Sequence, residues 1–173
     1  DVPSVGGKNA SLGEMYVNLA CKGIQVPNAF VIKADCFEEF LVHNNLVDKI
    51  QTLLSSIDFG NIVDLRRTGM EIRTRISNGT LPDTIRKKIL DGYKHLSSLY
   101  EDSTGSAQEF TDVAVRSSST AEDLPDASFA GLQETYLNVR GSNHLIEAIL
   151  NCFASLYTDR AISYRKTMKF TKH

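Results

Sequence analysis

Long apolar runs are missing from this 173-residue chain, and no stretch approaches the ~20 residues needed to span a bilayer. Nothing at the start joins a basic segment, an apolar segment and a small-residue cleavage site, so the reading is a cytoplasmic protein with no membrane role. Cysteine is scarce. Cys21, Cys36 and Cys152 stand far apart without a C-x-x-C spacing, and an odd count suits buried thiols in a reducing compartment. The four histidines form neither an H-E-x-x-H pattern nor a Cys/His cluster, which argues against a metal site within the chain. An excess of charge is lacking too. A formal net charge of -2 provides no general attraction to nucleic acid or anionic membrane.

What is present is ordinary for a globular domain: 42% hydrophobic and 23% charged residues. At this length roughly 70% of the unfolded surface can be buried, enough for a core without disulfide or metal staples. The first residue is Asp1, which suggests a piece cut from something longer.

Along the chain, apolar spacing predicts a helix over residues 9–22 through Leu12, Met15, Leu19 and Ala20, stopped by Gly23. A short β-branched run, Ala29-Phe30-Val31-Ile32, predicts a strand, and Asp35 is the expected cap of a helix through Phe37, Phe40 and Leu41. Three amphipathic helices follow, carried by Leu46, Ile50, Leu53, Leu54 and Ile57, by Leu65, Ile72 and Ile76, and by Ile85, Ile89, Tyr93 and Leu96. Residues 101–111 lack a period and read as a solvated connection. Alternating strands then flank a polar loop: Val113 to Arg116 before it, and 134–139 after it, ended by Gly141. A long helix, kinked or straight, runs from Ser142 to about Met168, and its cations Arg160, Arg165 and Lys166 suit a solvated C-terminal end.

Two stretches can carry chemistry. In "VGGKNASLGEM", residues 5–15, Gly6 and Gly7 let the backbone approach a ligand while Lys8 enters at a helix start, where free N–H groups and a full positive charge favour an anion. The same pattern also serves as a plain helix entry, and it lacks the spacing of a P-loop. The second stretch runs from Arg116 to Thr135. Arg116 offers a rigid fork for bidentate phosphate binding, and the hydroxyl-rich, small-residue loop beyond it has the composition of a ligand cover. The alternative is a solvated connection with Arg116 paired to Glu122 or Asp123. Length favours function, because structureless loops this long inside compact domains are uncommon.

Taken together, "VGGKNASLGEM", "VAVRSSSTAEDLPDASFAGLQETYLNVRG" at 113–141 and "FASLYTDRAISYR" at 153–165 resemble the phosphoenolpyruvate synthase family in its N-terminal nucleotide-binding region. Pyruvate phosphate dikinase and rifampin phosphotransferase are similar in the same blocks. The resemblance implies an α/β (α+β) fold, the helix-rich first lobe of an ATP-grasp domain with a small sheet, spanning residues 1–173. It implies ATP as substrate, Lys8 and Arg116 as catalytic residues on its phosphates, and Gly131 and Thr135 lining the nucleotide site. Magnesium ligands are expected in the absent second lobe. Pyruvate and a phosphohistidine domain are expected as partners only in the full-length protein. Leu132 and Ser119 depart from the family's usual glutamine and alanine. Two rival readings stay open: a related dikinase with another acceptor, and a non-catalytic nucleotide-binding module.

Overall fold

The computed structural model describes residues 7–19, 22–24, 26–101, 105–106, 109–117, 123–124, 127–128 and 134–167. Its first helix, α1, covers Gly7–Leu19, and Gly23 ends it as its sequence suggests. Gly23 adopts φ +77 while the Ile24 amide closes back onto the Leu19 carbonyl at 3.2 Å, the bond that terminates a helix through a left-handed glycine. The predicted apolar face of α1 is not buried, however. Leu12 and Leu19 are half-covered, and Met15, Tyr16 and Val17 face outward.

Residues 26–33 form no strand, and β-branched composition alone did not supply a ladder partner. Phe30 and Ile32 pack on the core from this extended segment. Helix α2, Ala34–His43, begins one residue before Asp35, so Asp35 lies in its first turn and accepts from Lys33 Nζ at 3.2 Å. The three amphipathic segments become α3 (Val47–Ser55), α4 (Ile62–Ser77) and α5 (Asp83–Ser97). Asn61 caps α4 through its side-chain oxygen, which accepts from the Val63 and Asp64 amides at 3.0 and 3.3 Å.

Strands β1 (Val113–Arg116) and β4 (Thr135–Val139) pair antiparallel, and a second, two-residue pair, β2 (Asp123–Leu124) with β3 (Ala127–Ser128), lies between them in sequence. The expected alternation along β4 is interrupted. Val113 opposes Val139 and Val115 opposes Tyr136, so β4 carries one extra residue. Asn138 takes it up at φ +54, a left-handed conformation that asparagine tolerates better than most residues. The bulge brings Tyr136 and Val139, three apart, to the covered side of the ribbon.

The last predicted helix is two: α6 (Ser142–Ser155) and α7 (Asp159–Thr167). Thr158 restarts the chain as a helix, its hydroxyl accepting the Ala161 amide at 3.2 Å. Arg160 therefore stands at the beginning of a helix, not near the end of one.

The core lies where α2, α4, α5, α6 and the ribbon meet. Phe40, Ile50, Ile72 and Ile76 are fully buried, and Phe37, Phe40 and Phe153 cluster with ring centroids 4.9–6.4 Å apart, Phe37 stacked on Phe40 and Phe153 tilted against both. The end of the 101–111 segment is not solvated as expected. Buried Thr111 donates its amide to Ser97 Oγ at 3.1 Å and accepts from Tyr93 Oη at 2.6 Å. Among the described residues no helix is long and apolar enough to cross a membrane.

Candidate functional site

The ribbon's open end is where the sequence places its site. Arg116 closes β1 and Thr135 opens β4, and the two are direct cross-strand partners. Side chains of such a pair share one face of the ribbon. Both residues are exposed, whereas the adjoining pair, Val115 and Tyr136, is half-buried on the side that packs against α6. The fold therefore presents one cation and one hydroxyl together, outward, at the two ends of the intervening loop. Arg116 forms no ion pair among the described residues.

Lys8 lies in the first turn of α1, as the glycine-bearing block suggests, but its side chain falls outside the described residues. Gly131 also falls outside them, as do Glu122 and the side chain of Asp123, the alternative partners of Arg116. Of the four site residues read from the sequence, the structure thus brings together Arg116 and Thr135.

Beneath this end, α6 supports both strands. Cys152 Sγ lies 3.7 Å from the Val115 carbonyl and 4.0 Å from the Glu134 carbonyl, the residues immediately before Arg116 and Thr135. Burial, reinforced by the nearby Glu134 carboxylate, pushes the Cys152 thiol up to about 12, so it remains protonated and unreactive at neutral pH. Tyr136 donates to Glu134 Oε2 at 2.5 Å, and burial followed by this contact raises its phenol well above the usual range.

On the covered side of β4 the sequence reading missed a cavity of about 420 Å³, lined by Arg73, Ser77, Glu134, Tyr136, Asn151 and residues of the α6–α7 junction. Arg160 is among those junction residues, and the helix break at 156–158 is what brings it there. Thr158 before an acidic residue was the available signal for that break. Among the described residues no three His, Cys, Asp or Glu side chains gather as a metal site.

Residues 2–173 match the family model for the pyruvate phosphate dikinase AMP/ATP-binding domain. The chain belongs to this family. It is 51% identical over 170 residues to the phosphoenolpyruvate synthase of Aquifex aeolicus, covering 98% of this chain and 19% of that protein. It is 47% identical over 165 residues to the Neisseria meningitidis phosphoenolpyruvate synthase and 46% identical over 165 residues to that of Escherichia coli K12, covering 95% of this chain and 20% of each relative. The chain thus spans about a fifth of the length of these relatives. Membership places the Arg116–Thr135 end of the ribbon in a domain family described by adenine nucleotide binding.

Proposed function

We propose that residues 1–173 are the first lobe of an ATP-grasp domain, and that the full-length cytoplasmic protein is a phosphoenolpyruvate synthase. In this reading it phosphorylates pyruvate with ATP and water to give phosphoenolpyruvate, AMP and phosphate through a phosphohistidine on a separate domain. The pairing of Arg116 with Thr135 carries the reading for this chain: a guanidinium with no ion pair among the described residues and a hydroxyl share one exposed face in a family described by AMP/ATP binding. The names of the relatives support the activity of the whole protein.

The roles follow from charge and geometry. Arg116 binds phosphate oxygens through two parallel N–H donors, and Lys8 adds a point charge at the start of α1, where the helix dipole also favours an anion. Thr135 and Gly131 line the nucleotide as the loop between β1 and β4 covers it. Phosphoryl transfer depends mainly on alignment and charge neutralisation, so these parts suit it. Magnesium, which would supply charge neutralisation at the phosphates, is assigned to carboxylate and glutamine ligands of the second lobe. The described residues of this chain do not themselves make a magnesium cage.

Titration of the chain with ATP and magnesium, as wild type and as Lys8→Ala and Arg116→Ala, tests the assignment. Binding that weakens about tenfold or more in each variant supports it, since a charge-assisted hydrogen bond contributes roughly 1.5–3 kcal/mol. Binding unchanged in both variants overturns it.

A further inference from the structure

The cavity beside β4 has a charge arrangement that the nucleotide reading does not use. Four charged side chains line it: Arg73 from α4, Glu134 just before β4, and Asp159 and Arg160 from α7. Two of them cancel. Arg73 Nη1 pairs with Asp159 Oδ1 at 3.0 Å and also donates to the Tyr157 carbonyl at 2.8 Å. Gly69 makes room for this pair, because a Cβ there would lie 2.8 Å from Asp159 Oδ1.

Glu134 and Arg160 remain. The neutral phenol of Tyr136 occupies one oxygen of Glu134 but leaves its charge in place. Arg160 forms no ion pair or hydrogen bond among the described residues, and the two are not paired with each other. The cavity therefore carries one anion on its sheet wall and one cation on its helix wall. A purely anionic ligand meets repulsion from Glu134, and a purely cationic one meets repulsion from Arg160. A small molecule bearing both charges a few bonds apart satisfies both walls.

We propose that this cavity binds a free α-amino acid. The Arg160 fork takes the α-carboxylate through two parallel N–H donors, and the second oxygen of Glu134, which has no partner among the described residues, accepts from the ammonium. Apart from the Tyr136 ring and Ala154, the lining side chains are polar, and Asn151 and Ser77, themselves bonded at 3.2 Å, lie on the wall to meet a side-chain amide or hydroxyl. That lining selects an uncharged polar amino acid. A volume of about 420 Å³ holds one with accompanying water. The proposal does not depend on nucleotide binding at Arg116.

Calorimetric titration of the chain with L-serine, L-threonine and L-glutamine tests it, with acetate and ethylammonium as single-charge controls. At least one amino acid binds, and each control binds about tenfold more weakly or less, because it engages only one wall. Arg160→Ala and Glu134→Gln each weaken the amino acid about tenfold or more, and Arg160→Lys, which keeps the charge and loses the fork, falls between. Thermal unfolding of the variants remains at the wild-type midpoint, since both residues are exposed and glutamine still accepts from Tyr136. Failure of all three amino acids to bind overturns the proposal. So does acetate binding as tightly as the amino acid, or unchanged affinity in Arg160→Ala.

Discussion

Arg116 and Thr135 face one another across the antiparallel ribbon at the end where the chain leaves β1 and returns as β4. A bulge at Asn138 separates this end from the other, so the pairing here is set locally by Val115 with Tyr136 and by α6 beneath them. Eighteen intervening residues contribute neither the cation nor the hydroxyl. They leave from one and arrive at the other.

Replacing Thr135 by valine keeps the β-branched shape that suits a strand and removes the hydroxyl. On the proposed function, ATP affinity falls about threefold to tenfold, the range of a single neutral hydrogen bond of roughly 0.5–1.5 kcal/mol. Thermal stability stays unchanged because the residue is exposed. Fluorescence titration beside a melting curve separates the two effects, and a drop in melting temperature with intact affinity contradicts a ligand role.

The far end of the ribbon depends on Tyr93, which is 1% exposed. Its hydroxyl donates to the Thr111 carbonyl at 2.6 Å and accepts the Gly141 amide at 3.1 Å, tying the residues just outside β1 and β4 to α5. Tyr93→Phe removes both bonds and strands a buried carbonyl, at a cost of about 1–3 kcal/mol. Urea unfolding should show a lower midpoint at unchanged slope.

The sequence made the helices legible because their apolar residues recur on one face: Ile50 in α3, Leu65, Ile72 and Ile76 in α4, and Ile85, Ile89 and Tyr93 in α5 are all buried. It also showed both long strands and the residues at their open end. Other features escaped it for physical reasons. The run at 29–32 has strand chemistry but no partner among the described residues, and pairing is a tertiary property. The Asn138 bulge changes the phase of β4 without changing its composition. The α6–α7 break depends on a threonine cap, which periodicity does not detect, and that break puts Arg160 in the cavity.

Gly79 illustrates a packing constraint of the same hidden kind. An added Cβ would lie 2.6 Å from Cζ and 2.9 Å from Cε2 of Phe40, whose ring is fully buried against Phe37 and Phe153. The ring has nowhere to retreat. Gly79→Ala is therefore expected to destabilise by about 1–3 kcal/mol, the usual penalty of overpacking, although it stiffens the unfolded chain. Gly13→Ala is the control: nothing lies within 4 Å of its Cβ position, and it sits inside a helix, where alanine is favoured. Chemical denaturation of the two variants should move in opposite directions, and equal shifts would remove the Phe40 explanation.

Cys152 links the ribbon to alkaline stability. Its folded value is raised to about 12 from an ordinary 9.0, mainly by burial and then by Glu134. A raised folded value means that the thiol's contribution is complete below pH 9.0, where the unfolded chain is also protonated, and is lost progressively as pH rises toward about 12. Cys152→Val keeps an apolar group of similar size and removes the titration, so its unfolding free energy should decline less steeply over that window. Alkylation followed by mass spectrometry gives an independent readout. Below pH 9.0 the Cys152 peptide should label only as fast as the chain unfolds, accelerating with urea, because both burial and protonation withhold the thiolate. Rapid native labelling at Cys152 would mean that α6 does not seal against the Val115 and Glu134 carbonyls, and the support proposed for the Arg116–Thr135 end would fail with it.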